Sequence, residues 1–222
     1  MTLIVILLTL IAATVVHISV MAVVPAALGI RPLVVSYGLG PRLFRKGVFQ
    51  IRVILLGGYV TLPDSRAGDL EPEQLADAID RRPMWFHATV LMLPHLILLA
   101  VGSAIYGDDL FSVAKTIWTQ FFLCAISPLS VAQDQLASFV SFVESSSLMV
   151  LFGWMLAILT SLAFLPVGSA AGGQLILILI SQRRSPHALT ERLYSWTVLA
   201  HIVLLGLWGV AIVVFVWRYL SG

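Results

Sequence analysis

The chain has 222 residues, 59 % of them apolar and 11 % charged, with a mean hydropathy of +1.00; this is too little polar surface to cover a water-soluble globule of its size. A formal net charge of +2 gives no reason to expect nucleic-acid binding. The single cysteine, Cys124, excludes an internal disulfide and a cysteine-rich metal site, and suits a small apolar core position. The sequence therefore predicts an integral membrane protein.

A bilayer span takes about 20 mainly apolar residues. Residues 3–28 supply them without a formal charge, interrupted only by His17 and Pro25, and form the first predicted helix. The stretch lacks the basic start and small-residue cleavage site of a signal peptide, so it is expected to stay in the mature protein. From 29 to 82 the chain turns polar. Short β-branched runs at 33–36, 49–56 and 59–62 alternate with Gly38, Gly40, Pro41, Gly57 and Gly58, which predicts strands with turns at those residues. Residues 70–82 run from acidic to basic, with Pro72 near the start, and predict a short surface helix.

A second span is predicted over 85–106, carrying His87, Pro94 and His95. Residues 108–147 are amphipathic and serine-rich, and their apolar stretch 117–126 is short for a crossing; the segment is expected to lie at or dip into the interface. A third span, 148–165, breaks over 166–173 and resumes at 175–180. The fourth is 196–219, with Trp217 and Tyr219 as interfacial anchors. Pro25 and Pro94 are expected to bend their helices.

Basic residues set the expected orientation. Arg31, Arg42, Arg45, Lys46, Arg52, Arg66, Arg81 and Arg82 fall in 29–82, and Arg183, Arg184 and Arg192 fall between the third and fourth spans. Both loops are therefore expected on the cytoplasmic side. Asp108, Asp109, Asp134 and Glu144 set 108–147 on the other side, and four spans then leave both termini outside.

Several motifs occur in order along the chain. His17-Ile18-Ser19-Val20-Met21 is followed by Gly29 and then by Ser36-Tyr37-Gly38-Leu39-Gly40; Ile54-Leu55-Leu56-Gly57-Gly58-Tyr59-Val60, Ser127-Pro128-Leu129-Ser130-Val131-Ala132 and residues 163–173, with Pro166, Gly172 and Gly173, come after. In wording and spacing these resemble the site-2 proteases, intramembrane zinc metalloproteases. That family has His-Glu-x-x-His and Ser-x-Gly-x-Gly at the first two places, Pro-Leu-Gly-Gly-Tyr-Val and Gly-Pro-Ile-Ser-Ile-Ala at the next two, and Asn-x-x-Pro-x-x-x-Leu-Asp-Gly-Gly at the last. The resemblance covers nearly the whole chain and implies one membrane domain over 1–222. Its parts are helix one at 1–28, a cytoplasmic-side β and loop region at 29–82, helix two at 83–106, an outer interfacial segment at 107–147, a broken helix three at 148–180 and helix four at 193–220. The implied fold class is an α-helical integral membrane protein of about four transmembrane helices with a small membrane-associated β-hairpin.

The departures fall on the chemistry. Such hydrolysis needs two histidines one helical turn apart, a carboxylate from a distant helix and an adjacent glutamate as base. Of these only His17 is present. The base position is Ile18, the second ligand Met21, the third ligand Ala171, and the substrate-polarising asparagine Ala163. Aliphatic side chains offer no lone pair and a thioether is a poor zinc ligand, so no catalytic residue, metal or cofactor is expected. His17 is expected to be a neutral, hydrogen-bonded relic inside the bundle. His87 and His95 offer a relocated metal site without a nearby carboxylate, and Ser169 or the run Ser145-Ser146-Ser147 offers a serine nucleophile, although helical serines usually bond back to a carbonyl. His187 is expected in a solvated loop and His201 against a neighbouring helix. The resemblance implies a groove formed by Gly57, Gly58, Tyr59, Pro166, Gly172, Gly173 and Gln174. The expected function is a catalytically inactive, pseudoprotease-like subunit that binds a partner's transmembrane segment or a larger membrane complex. Besides lipids and such a protein it is expected to have no nucleic-acid partner, and to reside in a bacterial inner membrane. The alternative is an active intramembrane protease with an unconventional site.

Overall fold

The computed structural model describes residues 2–65, 70–165, 171–176 and 187–221. Helix α1, Thr2–Ala27, leads into strands β1, Val34–Lys46, and β2, Phe49–Thr61. A short helix α2, Pro72–Ala76, and a 3-10 turn, Ile79–Arg81, precede α3, Met84–Tyr106. Then follow α4, Leu110–Ile126, α5, Val131–Ser145, and α6, Leu148–Ala163; residues 171–176 are helical, and α7, His187–Ser221, ends the chain.

Among the described residues, three helices are long and apolar enough to cross a membrane: α1, α3 and Ser195–Tyr219 of α7. The expected third span stops short. Its helix α6 has 16 residues, about 24 Å at 1.5 Å per residue against a hydrocarbon core of about 30 Å. The helix ends at Ala163 with Phe164 as the C-cap, two residues before the expected end at 165, and residues 171–173, expected within the break, are helical. Residues 171–176 resume the helix; Pro166, Gly168, Ser169 and the stretch 177–180 lie outside the described residues. Helix α7 begins at His187, so the solvated loop expected there gives way to helix. Its outer face is apolar and open, with Trp196 68 %, Val213 68 % and Trp217 74 % exposed, as lipid contact requires.

The hairpin corrects the expected turns. Gly38, Gly40, Pro41, Gly57 and Gly58 all lie within strands, and the reversal is at Gly47-Val48 instead. Gly38 and Gly40 have φ of +98° and +80°, a region open to glycine, and they bend β1 where its register with β2 shifts. Because of that bend, Val35, Ser36 and Tyr37 align both with Val60, Tyr59 and Gly58 and with Phe49, Gln50 and Ile51, respectively. The glycines thus curl a long ribbon rather than cutting it into short strands.

The expected interfacial segment is two helices with buried faces. Asp109 caps α4 by accepting from the backbone N–H groups of Phe111 and Ser112, both at 3.0 Å. Val113 and Ile117 on α4 pack with Leu99 and Ala157 in one core cluster. A second cluster joins Ala13 of α1, Leu98 of α3, Val143 of α5 and Leu151, Met155 and Leu156 of α6. α3 and α6 approach closely where a Cβ on Gly102 would stand 2.8 Å from the Gly153 carbonyl oxygen and 2.9 Å from the Ala157 nitrogen. Small residues at a crossing let backbones meet in a membrane.

Candidate functional site

Two histidines meet inside the bundle. His17 Nε2 of α1 lies 3.2 Å from His95 Nδ1 of α3, and the ring centroids are 5.2 Å apart. A neutral imidazole has one donor and one acceptor nitrogen, so a single hydrogen between these atoms satisfies both. His95 is 2 % exposed and follows Pro94 within its helix. Pro94 has no N–H to donate to the preceding turn. The edge of Phe164, just past the end of α6, closes over His95 with centroids 5.9 Å apart. Sequence reasoning carried His95 only as a relocated ligand and missed Phe164. The available signal was a second ionisable residue in an apolar span, which needs a partner in lipid.

The hairpin covers the next residue of α1. Ile18 is 2 % exposed and packs with Ala22 and Val35, flanked by Tyr37 and Val60. A Cβ on Gly58 would lie 3.0 Å from Ile18 Cγ1 and would also strike the Ser36 carbonyl oxygen, so only glycine lets β2 sit this close. Ser19 Oγ and Tyr37 Oη, 3.0 Å apart, tie the same helix to β1. Gly57 faces the other way, toward Leu39, and so does not join Gly58 against the helix. Tyr59 is 38 % exposed; its hydroxyl accepts from Gln50 Nε2 at 2.9 Å and Arg52 Nη2 at 2.7 Å.

Gly58, Ile18, His17 and Gly172 of the expected site are joined into one chain of contacts by His95 and Phe164, running from Gly58 through Ile18 to its neighbour His17, then to His95, Phe164 and Gly172. A Cβ on Gly172 would strike the Phe164 carbonyl oxygen and stand 2.8 Å from that of Leu165, so the resumed helix folds back tightly on the end of α6. Ala163 is the last residue of α6; it, Met21, Ala171 and Gln174 are half-buried, and Gly173 is buried. Pro166 lies outside the described residues. The run Ser145-Ser146-Ser147 is built into helix ends. Ser145 Oγ donates to the Ser141 carbonyl at 2.9 Å, Ser146 is the C-cap of α5, and Ser147 Oγ accepts from Val150 N at 3.3 Å.

A tetrahedral Zn²⁺ site takes at least three protein ligands. Position 17 offers one imidazole engaged with another, while positions 18, 21 and 171 offer Ile, Met and Ala; this donor set does not fit zinc. Among the described residues, no three His, Cys, Asp or Glu side chains are grouped to hold a metal. No protein-family model matches the chain, and no curated protein matches it.

Proposed function

We propose that this chain is a catalytically inactive relative of the site-2 proteases, a membrane subunit that holds an apolar transmembrane segment of a partner protein where α1 meets the hairpin. The observation that carries this reading is the burial of Ile18 beneath Gly58, Val35, Tyr37 and Val60. A general base must present a proton-accepting group within reach of the reacting water. Here the corresponding position is an aliphatic side chain already covered by the hairpin. Among the described strand pairings, Gly58, Tyr59, Val60 and Thr61 align with β1 alone. An extended segment adds to such an edge by main-chain hydrogen bonds, so recognition follows shape more than charge.

Photocrosslinking in native membranes from probes at Met21, Tyr59 and Ala171, with a lipid-facing control at Val213, tests this. The groove probes should reach a transmembrane peptide of one partner that the control misses. Identical capture patterns would move the chain's role to its outer faces. The His17–His95 pair favours a second reading, an active protease with an unconventional site; about one zinc per chain, lost in His17→Ala, would replace the first reading with it.

The membrane is read as a bacterial inner membrane. With α6 and its continuation counted as one interrupted crossing, 29–82 faces the cytoplasm and both termini face outward. In a Cys124→Ser background, an impermeant thiol reagent added outside should label Asp108→Cys and spare Glu73→Cys; the reverse pattern inverts the topology.

A further inference from the structure

A cavity of about 600 Å³ opens between α1, α4, α5, α6 and α7, away from the histidine pair. Phe121, Phe142, Trp154 and Trp208 make much of its wall, and Gln120 and Gln135 are among its few polar linings. Trp208 is fixed in place, its Nε1 donating to the Phe121 carbonyl at 3.1 Å and its ring stacked on Phe121 with centroids 5.9 Å apart. Gln120 also borders an open hollow of about 390 Å³ on the exposed side of α4, with Ser112, Lys115, Thr116 and Thr119. These residues recur every three or four positions, which sets them on one side of α4. Lys115 is the only Lys or Arg between Arg82 and Arg183. Asp108 and Asp109 stand at the same end of α4, but the Asp109 carboxylate is engaged by the Phe111 and Ser112 amides, and Asp134 and Glu144 belong to α5.

The geometry points to a binding site for one anionic phospholipid, with its phosphate at Lys115 among the hydroxyls of Ser112, Thr116 and Thr119 and one acyl chain passing Gln120 into the apolar cavity. The cavity and the hollow share Gln120, and an apolar space beside a lysine and three hydroxyl side chains matches the two ends of such a molecule. Lys115 lies six residues beyond the Asp109 cap, about 9 Å along the helix, and Gln120 about 7.5 Å deeper, so the polar contacts run from the helix end inward, as a headgroup and glycerol do. An apolar cavity of this size falls in the range of ligand sites. It is a poor host for water, which needs two to four polar partners, and in a bilayer the apolar filler at hand is an acyl chain.

The test is quenching of Trp154 and Trp208 in the full-length chain, with Trp85, Trp118, Trp196 and Trp217 changed to Phe, by phosphatidylglycerol or phosphatidylcholine brominated midway along one chain. Quenching should saturate at one lipid per protein, with about fivefold preference for phosphatidylglycerol, the effect of one lysine near a membrane surface. Lys115→Gln should erase the preference; Lys115 is exposed, so this variant leaves the packing intact. A variant retaining only Trp217, on the lipid-facing surface, should quench without saturation. Unsaturable quenching of Trp154 and Trp208 would overturn the site, and saturable quenching that ignores headgroup and Lys115→Gln would overturn the assignment of Lys115.

Discussion

The α3–α6 crossing and the space between α4, α5 and α7 pack in opposite ways. At the crossing, Gly102, Gly153 and Ala157 bring two backbones to the limit of contact. On the other side, Phe121, Phe142, Trp154 and Trp208 hold the helices apart and leave a cavity of about 600 Å³. Lipid tails are as apolar as leucine, so in a membrane hydrophobicity does not itself drive one helix against another. Side-chain size and a few polar contacts decide where protein meets protein and where room is left for something else.

The largest effect should come from spoiling the tight side. Gly102→Leu drives a side chain into the Gly153 carbonyl and the Ala157 backbone, and should cost about 3 kcal/mol, the upper end for overpacking, in thermal unfolding of the purified chain. Ser138→Leu adds apolar volume toward the cavity and should change stability by under about 1 kcal/mol. Equal losses from the two changes would end the contrast.

A smaller effect belongs to the histidine pair, the polar contact that ties α1 to α3. A double-mutant cycle with His17→Ala and His95→Ala should give a coupling of about 1 kcal/mol, the scale of interhelical hydrogen bonds in membranes. Additive losses would mean that the two rings are neighbours without a shared hydrogen.

The smallest concerns the water-facing start of α4. Hydrogen bonds from the Ser112 side chain and backbone hold the Asp109 carboxyl below the usual carboxylate range. A depressed folded value stabilises the cap above the unfolded value, about 3.9, and that contribution is lost as pH falls through the folded value. Protection of the Phe111 and Ser112 amides, their exchange relative to the intrinsic rate at each pH, should therefore fall below about pH 4, while Asp109→Asn, which keeps a capping oxygen, should remove that pH dependence of protection. Unchanged protection in the parent chain would contradict the cap's role.

The apolar runs at 3–28, 85–106 and 196–219 were legible as spanning helices because a crossing requires its backbone to be satisfied within the helix and its side chains to be apolar, conditions written in consecutive residues. An interruption of the third span was legible for the same reason. One expectation failed on non-local geometry. Gly38, Gly40, Gly57 and Gly58 read as turns, since local composition cannot distinguish a reversal from a bulge or a close backbone approach; the register with β2 and the contact with Ile18 make them strand residues. The stretch 108–147 reads as interfacial because each helix has a polar face; which elements cover the opposite face of each, α1, α3, α6 and α7, only the packing decides.

At the candidate site, the sequence by itself determined that positions 18, 21, 163 and 171 carry no ionisable group, because side-chain chemistry does not depend on the fold. Only the tertiary structure decided what His17 does. Its partner lies 78 positions away on another helix, and bringing His95 to it depends on how α1, α3 and the end of α6 pack, a property of shapes that no single stretch of residues contains.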